Sequence, residues 1–154
     1  MTIASAQNIV GDLASDVAGR RVVTFGTFDL FHIGHLRILE RARALGGWLA
    51  VGVSSDELNF SKKAILPHFS YEERASIVRA LKVVDVVFKE ESLDLKADYL
   101  IAQRADVLVM GHDWEGRFDE FRDIVEVQYL PRTPSISTTS LVARIRGDAA
   151  AQSA

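Results

Sequence analysis

The feature that most limits what this chain can fold into is an alternation. Short apolar runs, Val22–Phe25, Trp48–Val53, Val83–Phe88, Asp106–Met110 and Val125–Leu130, are separated by segments with helical spacing. Runs of this kind suit strands buried on both faces, which is the habit of parallel sheets. Between them, Leu36–Leu45 places Leu36, Leu39 and Ala42 on one face ahead of Gly46-Gly47, which reads as a C-cap. Ser70-Tyr71-Glu72-Glu73 is a capping box that opens a helix running to about Ala80. Leu93–Arg104 reads as a further helix, and Ser137–Ser140 offers N-cap chemistry for a last one, Leu141–Arg146. The stretch from Ser54 to Phe69 reads as a polar connection.

Strands alternating with helices imply right-handed βαβ units and ligands bound beyond the carboxyl ends of the strands. The expected fold is α/β: a single-domain Rossmann-like three-layer sandwich around a mostly parallel five-stranded sheet. The polar clusters follow Phe25, Val53, Met110 and Leu130, each at such an end. The domain is expected over residues 20–147, after an N-terminal extension over 1–19 and before a flexible tail over 148–154. A net charge of -3 argues against a chain that lives on nucleic-acid phosphates. The absence of cysteine rules out disulfides, thiolate metal sites and thiol nucleophiles. No apolar run is long enough to span a bilayer, and Met1–Gly19 has neither the basic nor the apolar region of a secretory signal, so the expected compartment is the cytoplasm.

Chemistry concentrates first in Gly26-Thr27-Phe28-Asp29-Leu30-Phe31-His32-Ile33-Gly34-His35, a strand-to-helix loop. Its glycines allow a tight exit from the strand and a close approach at the helix start, where free amides and the helix dipole make an anion site. His32 and His35 converge on it, and imidazole N–H groups donate to phosphate oxygens as charge grows in a transition state. A His-x-x-His pair alone is more often an idle loop feature. The flanking Gly-Thr-Phe-Asp changes that balance, and no third ligand makes it a metal site. Next, Arg132 through Thr139 sets a guanidinium and several hydroxyls before a helix N-terminus, a combination that suits the β- and γ-phosphates of a nucleotide. Lys62 and Lys63 lie in the polar stretch, where a lysine pair is as readily a solvated surface. Gly111-His112-Asp113-Trp114-Glu115-Gly116 closes the fourth strand, and Asp113 is its candidate ligand contact.

These segments resemble the cytidylyltransferase family within the HxGH nucleotidyltransferase superfamily, in the pattern of the bacterial glycerol-3-phosphate enzymes. The likeness runs from about Arg21 to Ile145 and takes in Leu39-Glu40-Arg41-Ala42, Ser70-Tyr71-Glu72-x-Arg74, Val109-Met110-Gly111-x-Asp113-Trp114-Glu115-Gly116 and Arg132-Thr133-x-x-Ile136-Ser137-Thr138-Thr139. It implies CMP transfer from CTP to a small alcohol phosphate, with Mg²⁺ as cofactor on the nucleotide and a homodimeric assembly. It implies catalytic roles for His32, His35, Lys62, Lys63 and Arg132. Nucleotide contacts are implied at Gly26, Thr27, Phe28, Ile33, Gly34, Lys82, Gly111, Asp113, Thr133, Ile136, Ser137, Thr138 and Thr139. Acceptor contacts are implied at Lys62, Lys63 and Lys96. His112, Leu93 and Lys82 depart from the glycerol-phosphate pattern. Alternatives are ethanolamine- or choline-phosphate acceptors, an adenylyltransferase of the FAD-synthetase kind, or a nucleotide sensor without catalysis.

Overall fold

The computed structural model describes residues 17–147. The expected tail, and the expected extension except its last residues, lie outside the described residues. Five strands, β1 (Arg21–Gly26), β2 (Trp48–Ser54), β3 (Val86–Glu90), β4 (Val107–Gly111) and β5 (Glu126–Leu130), alternate with helices α1 (Ile33–Arg43), α2 (Asp56–Lys63), α3 (Tyr71–Arg79), α4 (Lys96–Ala102) and α5 (Thr138–Arg146). The sheet is wholly parallel, in the order β3-β2-β1-β4-β5. Successive residues of β1 serve opposite faces. Val22 joins Leu39, Ala42 and Val78 of α1 and α3 on one side, and Val23 joins Leu100 of α4 on the other. Both faces are therefore covered, as the apolar runs require. The order reverses at β1 and β4, so the crevice of this Rossmann-like sandwich opens over the carboxyl ends of those two strands.

Several boundaries differ from the sequence reading. The stretch after β2 holds a helix, α2, with Ser55 as N-cap and Asp56 and Glu57 in its first turn. β3 begins at Val86, because Asp85 is spent docking its start: its amide donates to the Leu49 carbonyl at 2.9 Å, and its carboxylate accepts from the Leu49 amide at 2.9 Å. Val83 and Val84 still pack on the core, from the turn. Leu93–Leu95 is a 3₁₀ turn, and α4 proper begins at Lys96. Ala44, not a glycine, caps α1, in right-handed geometry. Gly46 and Gly47 lie in the turn into β2, and the Gly47 amide donates to the Arg20 carbonyl. α5 begins at Thr138, three residues before Leu141, with Ser137 and Ser140 forming its capping box.

Candidate active site

The loop from Gly26 to His32 leaves β1 under strain: Phe28 and Leu30 hold left-handed φ values of 55° and 47°. His32 then caps α1. Its Nδ1 accepts from the Gly34 amide at 3.0 Å, and the Nδ1 of His35 accepts from the His32 amide at 3.2 Å. The two rings stack at 3.9 Å. Amides only donate, so both Nδ1 atoms carry lone pairs and each neutral ring bears its proton on Nε2. Gly34 makes this packing available, because a Cβ there would stand 2.8 Å from the His32 ring and 3.0 Å from Ile136. Burial holds both imidazoles neutral: His32 is pushed below its usual value, and His35, further lowered by the His32 charge, falls to about 4. The pair therefore donates as neutral N–H groups at pH 7.

The strained loop is tied down chiefly by Arg74 and Asp29, which the motifs contain but to which the sequence reading gave no role. Arg74 of α3 is wholly buried. It donates to the carbonyls of Thr27 at 2.7 Å, Ser54 at 2.9 Å and Phe69 at 3.0 Å, and to the Asp56 carboxylate at 2.7 Å. Thr27 donates through its hydroxyl to Asn59 of α2, whose amide nitrogen donates to the Ser54 hydroxyl. The Asp29 carboxylate accepts from the amides of His68 and Phe69 and pairs with the His68 ring at 2.8 Å. Burial pulls its pKa up, but those contacts outweigh it and hold the group below the usual carboxylate value. A charged residue on the apolar stripe of a helix, as Arg74 is beside Ala75 and Val78, was the available sequence signal.

A second helix start meets the first. The Thr138 hydroxyl donates to the Asp29 carbonyl at 3.1 Å and lies 3.4 Å from His32 Nε2. The N-termini of α1 and α5 thus face one region at the end of β1, both with positive dipole ends. At the neighbouring ends of β4 and β5, Arg132 pairs with Asp113 at 2.5 Å, and the arginine side chain stays 63% exposed. Lys62 and Lys63 occupy the last turn of α2. Burial lowers the Lys62 pKa against the pull of Glu90. Lys96, expected as an acceptor contact, is buried instead, with its ammonium on Glu90 at 2.7 Å. Lys82, expected at the nucleotide, lies between α3 and Asp85, at the amino ends of β2 and β3. In a parallel sheet that is the edge opposite the histidines, so one chain does not bring Lys82 to this site.

A family model described as cytidylyltransferase-like matches residues 23–144. The chain belongs to the cytidylyltransferase-like family. This cytidylyltransferase-like chain is 47% identical to the glycerol-3-phosphate cytidylyltransferase of Bacillus subtilis (strain 168), over 83% of its length and 98% of that protein's. It is 43% identical to the enzyme of the same name from Staphylococcus aureus (strain NCTC 8325 / PS 47), over 83% of this chain and 96% of that one. Among solved structures, the lipopolysaccharide core biosynthesis protein of Thermoplasma volcanium GSS1 superposes with a TM-score of 0.63 at 25% identity, covering 74% of this chain and 96% of that one. The family match runs from within β1 to within α5.

Proposed function

We propose that this chain transfers CMP from CTP to a small alcohol phosphate, sn-glycerol 3-phosphate, releasing pyrophosphate and CDP-glycerol. One observation carries the reading: two stacked neutral imidazoles, each with its proton on Nε2, lie where the N-termini of α1 and α5 meet. The likeness to glycerol-3-phosphate cytidylyltransferases supports CTP and the acceptor. An oxygen of the acceptor phosphate attacks the α-phosphorus, the bond from that phosphorus to the bridging oxygen breaks, and pyrophosphate leaves. Such transfers depend on positioning and charge stabilisation rather than on covalent help from the protein. His32 and His35 donate to the α-phosphate and bridging oxygens. Gly26, Thr27, Phe28, Ile33 and Gly34 line the nucleotide along the first loop, and Gly111 and Asp113 meet its nucleoside. Arg132, Thr133, Ile136 and the Ser137–Thr139 helix start hold the leaving phosphates. Lys62, with Lys63 beside it, takes the acceptor phosphate, and Lys96 adds positive charge from beneath.

Mg²⁺ enters this scheme with the triphosphate. Among the described residues no group of three His, Cys, Asp or Glu side chains is placed to hold a metal by itself, so the ion would arrive with the substrate phosphates rather than in an all-protein cage. We further propose that residues 20–147 form the catalytic unit, that it works in the cytoplasm, and that it is a homodimer, as the family resemblance implies. Among the described residues no helix is long and apolar enough to cross a membrane.

Pyrophosphate release across a panel of nucleoside triphosphates and alcohol phosphates tests the reading. CTP with glycerol 3-phosphate is expected to be the best pair. A preference for ATP, or CTP binding without release from any acceptor, overturns it. His35→Ala should lower kcat about 10³-fold, the scale of losing one transition-state donor, with little change in CTP affinity. Near-normal turnover in that variant counts equally against the assignment.

A further inference from the structure

Asp29 stands between Phe28 and Leu30, the two residues of the loop after β1 that hold left-handed φ values. Bulky residues keep such angles only where their surroundings impose them. The Asp29 side chain is buried, and it ties the turn to the connection before α3. Its Oδ1 accepts from the Phe69 amide at 2.9 Å and its Oδ2 from the His68 amide at 2.8 Å. A third donor is the ring of His68, whose Nδ1 lies 2.8 Å from Oδ2. A carboxylate only accepts, so this nitrogen carries a proton whether the ring is neutral or charged. The neutral ring then has the tautomer opposite to that of His32 and His35.

The backbone of Asp29 leads on to the catalytic pair. Its carbonyl accepts from the Thr138 hydroxyl at 3.1 Å, and that hydroxyl lies 3.4 Å from His32 Nε2. His68, Asp29, Thr138 and His32 thus form one line of polar contacts, from the approach to α3, through the strained turn, to the start of α5. The His68 ring also shares the wall of a surface hollow with Leu30 of the turn and with Val142, Ile145 and Arg146 of α5. Its side chain stays 50% exposed, and a half-exposed ring gains little from apolar burial. What the imidazole adds at this place is its bond to Asp29.

Resting on the nucleotidyl-transfer reading given above, we propose that His68 is a positioning residue: by donating from Nδ1 to Asp29, it holds the strained turn in the arrangement that aims His32 at the reacting phosphate. It acts through Asp29 and touches no reacting atom. The groups that hold the triphosphate, at Arg132 and the start of α5, lie on other elements. Loosening the turn therefore harms turnover more than it harms CTP binding.

The test compares His68→Asn, His68→Gln and His68→Ala with the wild type, by pyrophosphate release with CTP, glycerol 3-phosphate and Mg²⁺. An asparagine amide nitrogen falls where histidine carries Nδ1, and a glutamine one where it carries Nε2, so only asparagine can restore the bond. His68→Gln and His68→Ala should lower kcat about 10-fold or more, the effect of a small misplacement at the reacting centre, with KM for CTP little changed. His68→Asn should turn over much as the wild type does. Equal turnover in the Asn and Gln variants, whether high or low, overturns the proposal, as does a loss that lies wholly in KM for CTP. If His68→Ala does not fold, the Asn and Gln pair decides alone. The bond is also read without turnover, from the ring-nitrogen NMR shifts of His68 in the wild type. A neutral ring protonated on Nδ1, the form a free imidazole disfavours, supports the proposal, and one protonated on Nε2 overturns it. A wild type that releases no pyrophosphate with any alcohol phosphate faults the functional reading instead, and the nitrogen shifts then still decide the bond to Asp29.

Discussion

His35 shows how much of a site's chemistry depends on where a single proton sits. Two backbone amides at the start of α1 dictate that each imidazole carries its proton on Nε2, and burial keeps the rings from charging. The expected midpoint of the His35 ring resonances in an NMR titration is therefore about 4, not the ordinary 6.5. A midpoint near 6.5 would contradict the buried, neutral donor. The sign of the linked effect on stability follows. The unfolded chain binds this proton below its usual pKa while the folded chain refuses it, so stability should fall as pH drops from 6.5 to about 4 and then level off for this group. The histidines were legible in the sequence because their spacing and flanking glycines are local. Their tautomers were not, since these depend on cap geometry. Asp29 and Arg74 stood in the quoted motifs without a role for a related reason: Arg74 reaches Thr27 across 47 positions of chain, and Asp29 finds His68 across 39.

At the scale of elements, the long apolar runs were the readable part, and α2 was the part missed. Its interior offers only Leu58 and Asn59 to the core, so it has almost no apolar stripe to announce it. The Ser55-Asp56-Glu57 start was the signal that could have found it. This helix matters because it carries Asn59 into the loop network and sets Lys62 in its last turn, where the negative end of the dipole favours a cation. It ends on Ala64 in left-handed geometry at φ 58°. Ala64→Gly relieves that conformation and should raise stability by about 1 kcal/mol, read from the shift of the denaturant midpoint at unchanged slope. A loss of stability would show that Ala64 is not held there. The same short range of local signals explains β3: a run of valines gave the strand, but the docking of Asp85 on β2 set where it starts.

For the whole molecule, the sheet order carries every strand end of interest to one edge, and that much followed from alternation alone. What alternation cannot supply is the clasp between the ends. Arg74 supplies it, joining the loop after β1, the end of β2, the first turn of α2 and the approach to α3 through one guanidinium. Arg74→Met removes the cation and strands its acceptors, among them Asp56, and should cost about 3–5 kcal/mol in chemical denaturation. Arg74→Lys should recover little of it, since one ammonium does not reproduce the fork. Full stability in either variant would mean that the loop holds its shape unaided. The same topology accounts for Lys82, which the resemblance implied at the nucleotide and which its position after α3 returns to the far edge of its own chain.

Because the ring of His32 closes the first turn of α1, the residue has two occupations, and decay of one does not release it from the other. A descendant of this protein that gave up chemistry and kept only its shape would still need an acceptor side chain at position 32. Asparagine, aspartate or serine could inherit the cap, whereas alanine would fray the helix that fronts the crevice. The position following Ile33 is bound in the same way, since Gly34 makes room for whatever ring or amide leans back over it. Silent copies of such an enzyme would therefore keep much of the outline of its signature long after losing the donors that gave it meaning, and resemblance at those positions is a record of folding as much as of catalysis.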